Sequence, residues 1–240
     1  MAGRDRKPRM TAVPGHPFIF HNIYYAFYGS GRRGGFGVPA ILPPRPLSTS
    51  LYVAVVHAKA SAMWRLTIYD VVSDRAARID APGRRYLHAA DDVAWLCEAA
   101  PADVALLDPS LASPVLSKTV RVTVVDAPLF RVDRIDLEAG ARTPRHFHRG
   151  PGIRRLLFGR VRVEIGAETI EVGPGGAWFE PGDAPVVGSN AAAGPSAFLR
   201  VSLLPADLLG GKSSFVPASD AEAGKPRAVA QRLLHEAVVF

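Results

Sequence analysis

Cysteine and long apolar segments are the scarcest features of this sequence. Its 240 residues include one cysteine, Cys97, so no disulfide can form within the chain. No apolar run approaches the roughly 18 residues that a membrane-spanning helix requires, so we expect no membrane contact. The basic start, Met1–Arg9, is not followed by the apolar segment of a secretion signal. We therefore expect a cytoplasmic protein.

Acidic residues are nearly absent from the first 49 positions. Seven arginines and lysines stand there against Asp5 alone, a net charge of +6 out of +7 for the whole chain. Glycine and proline are frequent in the same stretch, so we predict a flexible tail over residues 1–49. Basic residues beside the aromatic segment Phe18–Tyr28 are one way to contact nucleic acid. A tail that docks on its own domain or on a partner subunit is the simpler interpretation, so nucleic acid is not the partner we expect.

Residues 50–117 combine strand and helix patterns. Leu51–Val56 and Trp64–Tyr69 carry the β-branched and aromatic residues that are typical of strands. Ala89–Ala100 is predicted to be a helix, because acids occupy its first turn and a proline follows its end. Cys97 lies on this segment, and we interpret it as a small buried side chain rather than a nucleophile. The stretch is therefore predicted to be a small α+β segment.

Short strands dominate residues 118–208. Six segments have strand composition and are separated by glycine- and proline-containing turns, a pattern that indicates a β-sandwich or jelly roll. They are Val120–Val125, Phe130–Leu137, Ile153–Phe158, Val161–Ile165, Thr169–Val172 and Ala197–Leu204. Residues 209–240 are predicted to be a C-terminal extension in which residues 228–239 form either a helix or a strand.

Two histidines separated by one residue form the most informative local pattern. His146 and His148 point to the same side of a strand, because successive side chains alternate. Gly140 precedes the pair by six residues, and Gly159 follows it by eleven. Imidazoles that share one face of a small β-barrel can present a metal ion to its interior.

These four residues resemble the first sequence motif of the cupin superfamily. In that motif a glutamate normally joins the two histidines, and its position in this chain is Gly152. The carboxylate of the family is therefore missing from the first motif.

The second cupin motif resembles the stretch from Gly175 to Asn190. Its first glycine, its proline and its asparagine are present as Gly175, Pro181 and Asn190. Its second glycine, Gly182, comes one residue early. The third histidine of the family would lie at Val186 and is absent.

The resemblance covers residues 118–208 and implies a mainly β protein with a cupin-type jelly roll, preceded by the small α+β segment. It leaves open whether residues 50–117 are a degenerate second cupin copy. Cupins of this size commonly pair through edge strands, so the resemblance also implies a homodimer.

A divalent metal ion is one expected cofactor. His146 and His148 supply two ligands, and Glu180 is the best candidate for a third, since it ends a strand-like segment. Two histidines and one carboxylate with open positions are typical of iron oxygenases. The candidate metals are Fe, Mn, Ni and Zn, and the alternative is that Glu180 only forms hydrogen bonds.

Arg154 is the candidate ligand-binding residue. It lies two residues after Gly152, so strand alternation carries it to the same inner face. A buried guanidinium requires an anionic or bidentate partner, which is either Glu180 or the carboxylate of a ligand. Trp178 shares a strand face with Glu180, and we predict that it forms a wall of the pocket.

Two functions remain open from the residues alone. The first is a protein that binds a small anionic molecule inside the barrel through Arg154 and the two histidines. The second is a metal-dependent oxygenase or isomerase that uses His146 and His148. The missing glutamate and third histidine favour the first, whereas the retained histidine pair favours the second. A nucleic-acid-associated protein that acts through the basic tail is a third alternative.

Overall fold

The computed structural model describes residues 61–71, 83–90, 93–123 and 127–240. These residues form fourteen strands, a 3-10 helix at Ala206–Leu208 and a short helix, α1, at Asp220–Ala223. The strands are β1 (Ser61–Val71), β2 (Arg85–Ala90), β3 (Val93–Pro101), β4 (Ala112–Thr123), β5 (Leu129–Leu137), β6 (His146–His148), β7 (Gly152–Phe158), β8 (Val161–Ile165), β9 (Glu168–Val172), β10 (Ala177–Glu180), β11 (Val186–Asn190), β12 (Ser196–Leu204), β13 (Phe215–Pro217) and β14 (Ala230–Val238). The predicted tail and the predicted strand Leu51–Val56 lie outside the described residues.

Two five-stranded antiparallel sheets form a barrel. The first barrel sheet has the order β10-β7-β12-β5-β14, and the second has the order β13-β6-β11-β8-β9. Apolar residues of both sheets share one buried cluster, which includes Ile135, Leu156, Val163 and Trp178. Two antiparallel sheets packed face to face in this way confirm the predicted jelly roll.

A third sheet covers the outer face of the first barrel sheet. It is antiparallel and has the order β2-β3-β1-β4. Leu66 and Trp95 of this sheet belong to one buried cluster with Phe130, Ile153 and Leu199 of the first barrel sheet. The first barrel sheet is therefore packed on both faces, which shields its outward side from water.

The helix predicted over Ala89–Ala100 is wrong, because residues 89–90 end β2 and residues 93–100 belong to β3, which pairs with β2. Trp95, Cys97 and Ala99 pack in the cluster shared with the barrel, whereas Leu96 packs in a separate cluster. That alternation is a strand period rather than a helical one. The thiol of Cys97 is buried, as we interpreted it, and burial raises its pKa to about 12.

The predicted C-terminal extension supplies strands to both barrel sheets. β13 pairs with β6, and β14 pairs with β5. Residues 228–239, for which helix and strand both remained open, contain β14. In the part of the chain that the structure describes, no helix is long and apolar enough to span a membrane.

Candidate functional site

Two neighbouring rows of side chains carry charge on the inner face of the first barrel sheet. One row, across β10, β7, β12 and β5, consists of Trp178, Arg154, Arg200 and Asp133. The row beside it consists of Glu180, Gly152, Ser202 and Arg131. All five charged residues are buried. Buried charges require partners, and these rows bring opposite charges together.

The structure pairs Arg154 with Glu180. The Nη2 atom of Arg154 lies 2.6 Å from Oε2 of Glu180, and the two side chains are 1% and 5% exposed. Trp178 donates its Nε1–H to Oε1 of Glu180 at 2.8 Å. Both carboxylate oxygens are therefore engaged, and Glu180 is the partner of Arg154 within the protein.

Both members of this pair are charged near neutral pH. Burial alone would raise the pKa of Glu180, but Arg154, His148 and Trp178 hold that pKa well below its usual range. Burial lowers the pKa of Arg154 to about 10, a shift that the charge of Glu180 opposes. The contact is therefore a buried ion pair, which is strongly destabilised when one partner is removed.

His146 and His148 lie on β6, and both rings line the interior of the barrel, as their spacing predicted. Their Nε2 atoms are 3.2 Å apart. The Nε2 atom of His148 also lies 3.2 Å from Oε2 of Glu180. The structure thus brings together the three residues that we considered as metal ligands.

The two imidazoles are neutral near pH 7. Burial lowers the pKa of His148 to about 4, although Glu180 opposes the shift, and burial also lowers the pKa of His146. A neutral His146 can donate from Nδ1 to the carbonyl oxygen of Pro144 at 2.8 Å, which leaves its Nε2 as an acceptor. His148 can then donate its Nε2–H to Nε2 of His146.

Gly152 leaves room for the Arg154 side chain. A Cβ atom at position 152 would lie 2.5 Å from Nη1 of Arg154 and 2.6 Å from the carbonyl oxygen of Val201. Both separations are far shorter than a favourable van der Waals contact. The guanidinium therefore lies against the position at which the cupin motif carries its glutamate. Nη1 of Arg154 has no hydrogen-bond partner among the described residues.

Sequence reasoning missed a second buried ion cluster on the same sheet. Nη2 of Arg200 lies 2.8 Å from Oδ2 of Asp133, and Nε of Arg131 lies 3.4 Å from the same oxygen. Gln231 on β14 donates to the other oxygen of Asp133 at 2.9 Å. A signal was present in the sequence, because Arg131 and Arg200 are each flanked on both sides by apolar residues of their strands.

A cavity of about 70 Å³ inside the barrel is lined by the histidine pair, Arg154, Arg200 and Gln231. Its walls are mainly apolar and include Leu137, Val163, Val186 and Phe198. The three residues predicted to bind a ligand also line it: Arg154, Trp178 and Glu180. The volume is several times the minimum that one water molecule requires, so the cavity has room for a small molecule.

The landmarks of both sequence motifs have defined places in this barrel. The histidine pair lines the cavity from β6, and Val186 lies directly opposite His146 on β11. Gly159 adopts φ +84° between β7 and β8, and a side chain there would overlap Ser196. The barrel therefore resembles a cupin domain. This chain lacks the metal-ligating side chains at two positions of the cupin motifs. It keeps the residues that shape the turns, although Gly182 comes one position early.

Three solved structures are similar to part of the chain. TT1209 from Thermus thermophilus is 30% identical, and the match covers 33% of this chain and 76% of that chain with a TM-score of 0.30. A cupin protein (BF4112) from Bacteroides fragilis is 27% identical over 35% of this chain and 82% of that chain, with a TM-score of 0.28. The Schizosaccharomyces pombe Cnp3 cupin domain is 16% identical over 38% and 75%, with a TM-score of 0.30. No protein-family model and no curated protein matches the chain.

In their present arrangement the side chains inside this barrel do not form a metal site. The carboxylate of Glu180, next to the histidine pair, is already paired with Arg154. The two other ligand positions of the motifs hold a glycine and a valine, whose side chains carry no ligand atom. Across residues 61–71, 83–90, 93–123 and 127–240, no group of three His, Cys, Asp or Glu side chains could hold a metal ion.

Removing one partner of the buried ion pair should be costly. In Glu180→Gln the charge of Arg154 stays buried without a counter-charge, and we expect the free energy of unfolding to fall by about 3–5 kcal/mol. Arg154→Met should have a similar effect, because it leaves Glu180 unpaired. The double variant should lose much less than the sum of the two single losses. Urea denaturation of all four proteins measures this, and additive losses would contradict a direct pair.

The neutral state of His148 should make stability depend on pH. Its pKa is about 4 in the folded protein and 6.5 when unperturbed, so the unfolded chain binds more protons between these values. The stabilisation is present above pH 6.5 and is lost as the pH falls towards 4. We expect the free energy of unfolding to decrease over this window by up to about 3 kcal/mol more in the wild type than in His148→Gln. Denaturation curves at pH 7, 6, 5 and 4.5 test this, and identical pH profiles would refute it.

Proposed function

We propose that the cupin domain binds a small anionic molecule inside its barrel. The observation that supports this proposal is a mainly apolar cavity with three arginines in its lining: Arg154, Arg200 and Arg227. Glu180 is the sole acidic side chain among the described residues that line it. Ligand sites are typically apolar cavities in which a small number of polar groups fix the orientation of the ligand.

Two of the three arginines have a counter-charge within the protein. Arg154 is paired with Glu180 at 2.6 Å, and Arg200 is paired with Asp133 at 2.8 Å. These pairs keep the deeper part of the cavity close to neutral. An additional anion would therefore gain little net charge attraction from either arginine.

Arg227 is the arginine best suited to bind an anionic group. Its guanidinium lies 4.3 Å from the ring centroid of Phe215 and donates to the hydroxyl oxygen of Ser213 at 3.0 Å. Neither contact neutralises its charge. Phe215 in turn stacks on the ring of His146, with centroids 4.4 Å apart. The positive charge is thus held in place beside the cavity by stacked rings, while its remaining donors stay available.

A ligand that suits this arrangement has a compact apolar body and one anionic group. The apolar walls would contact the body, and Arg227 would bind the anionic group through paired hydrogen bonds. Neutral His148 can give its single N–H to a polar atom of the ligand in place of Nε2 of His146. Short aliphatic monocarboxylates combine these features and suit the size of the cavity.

The other two functions have less support. The metal-dependent oxygenase or isomerase remains a hypothesis that the cupin resemblance implies, without a fitting set of ligands among the described residues. The nucleic-acid alternative depends on residues 1–49, which lie outside the described part of the chain.

Binding of matched acids and alcohols tests the proposed ligand class. We expect acetate and propionate to bind more tightly than ethanol and 1-propanol, because the alcohols lack the anionic group and all four molecules are small enough for a cavity of about 70 Å³. Arg227→Gln should weaken binding of the acids about three- to tenfold, which is modest for a charge-assisted hydrogen bond because Arg227 is exposed. The alcohols should be unaffected. Isothermal titration calorimetry measures all of these affinities.

Arg232→Gln is the matched control for this experiment. Arg232 is exposed on β14 and is not among the residues that line the cavity, yet its substitution removes the same charge. We expect it to leave the acid affinities unchanged at moderate ionic strength. Equal affinities for acids and alcohols, or equal losses in the two variants, would refute the proposal.

The homodimer is a further proposal, and it rests on the cupin resemblance. The first barrel sheet already has its outer face covered by β1–β4 of the same chain. That face is closed to a second copy, and the resemblance implies that the copies pair along an edge strand. Multi-angle light scattering at micromolar concentration should give twice the chain mass of 25.7 kDa. A monomer mass would overturn the homodimer.

A further inference from the structure

We propose that the guanidinium of Arg154 is a built-in cation that takes the place of a metal ion beside Glu180, so that this cupin site is metal-independent. The inference concerns the chemistry of the site itself and does not depend on which ligand enters the cavity.

Atoms of the types that bind metal ions lie close together beside the cavity. The Nε2 atoms of His146 and His148 are 3.2 Å apart, and Nε2 of His148 is 3.2 Å from Oε2 of Glu180. Two nitrogens and one oxygen at such separations are the ligand types of a site with two histidines and one carboxylate. The carboxylate oxygen that faces His148 is the same atom that lies 2.6 Å from Arg154.

The guanidinium of Arg154 lies in space that a side chain at position 152 would otherwise occupy. Gly152, directly opposite Glu180 in the sheet register, carries no side chain. A Cβ atom at position 152 would lie only 2.5 Å from Nη1 of Arg154. Any larger residue at position 152 would displace this guanidinium. A glutamate at position 152 and the Arg154 guanidinium in its present place therefore exclude each other.

The positive charge of Arg154 opposes the binding of a metal cation at this place. Arg154 is buried, and its guanidinium is a fixed positive charge whose Nη2 lies 2.6 Å from the carboxylate of Glu180. It supplies a full positive charge to the one carboxylate next to the histidines. A divalent cation at the same place would have to meet this fixed charge in an environment with little screening. Its binding would also lack the negative charge that Glu180 already shares with Arg154.

Cobalt binding tests the inference directly. In the wild type, a titration with Co²⁺ followed by visible absorption should show no binding that depends on the histidine pair. The variant His146→Ala/His148→Ala is the reference, because it reports any cobalt bound elsewhere in the full chain. The inference is overturned if the wild type binds stoichiometric Co²⁺ and this double variant does not. No other variant is needed for that conclusion.

Removing the built-in cation should create metal affinity. Arg154→Met frees the carboxylate of Glu180 and removes the repelling charge, so we expect its cobalt affinity at this site to exceed that of the wild type at least about 100-fold. Adding His148→Ala to Arg154→Met should abolish the gain. Metal analysis after desalting provides a second readout that does not depend on the absorption spectrum.

Arg155→Met is the matched control. Arg155 is the next residue on β7, is also buried, pairs with Asp70 at 2.7 Å and lies 4.0 Å from the ring centroid of Trp95 on the outer face. Its substitution removes a buried arginine without opening the site, and we expect no gain of cobalt affinity. A gain in Arg155→Met equal to that in Arg154→Met, or no gain in a folded Arg154→Met, would refute the inference. Far-UV circular dichroism verifies folding of each variant, and Arg154→Gln replaces Arg154→Met if the latter does not fold. Acid binding enters none of these measurements, so failure of the proposed ligand leaves this result interpretable.

Discussion

The buried ion pair between Arg154 and Glu180 is the interaction on which the interior of this barrel depends. A charged side chain that leaves water needs a partner at short range, since isolated buried charges are destabilising by several kcal/mol. Here the 2.6 Å contact, the hydrogen bond from Trp178 and the contact with His148 all converge on one carboxylate. Each of these residues would be costly in this apolar setting without the others. Their combination explains why a small barrel tolerates so much buried charge.

The rest of the inner face follows the same rule. Asp133 lies between Arg131 and Arg200, so a single carboxylate faces two guanidinium groups. Arg131 also donates to the carbonyl oxygen of Lys212 at 2.8 Å and approaches Glu236 on β14. These contacts tie the C-terminal strands to the centre of the first barrel sheet. The charged rows thus serve the fold as well as the cavity, and Arg227 is the one arginine of the cavity lining without a counter-charge among the described residues.

The third sheet contributes by excluding water from the opposite side of the barrel sheet. Arg154 and Arg155 are neighbours on β7 and have the same chemistry, but they lie on opposite faces of the strand. Arg154 points to the barrel interior and its carboxylate, whereas Arg155 points outward to Trp95 and Asp70. Alternation along one strand therefore separates an arginine of the functional site from one that joins two layers.

The sequence by itself determined the jelly roll and the inward direction of His146, His148, Arg154, Trp178 and Glu180, because period-two alternation and turn glycines are local properties. It failed at Ala89–Ala100, where an alanine-rich segment with helix-like ends became a strand through packing of alternate residues on the barrel. Tertiary structure alone decided that Arg154 pairs with Glu180, and that Arg131, Asp133 and Arg200 gather in one cluster. Those outcomes depend on which strands are neighbours and in what register, and strand pairing over dozens of residues is not encoded in any local pattern.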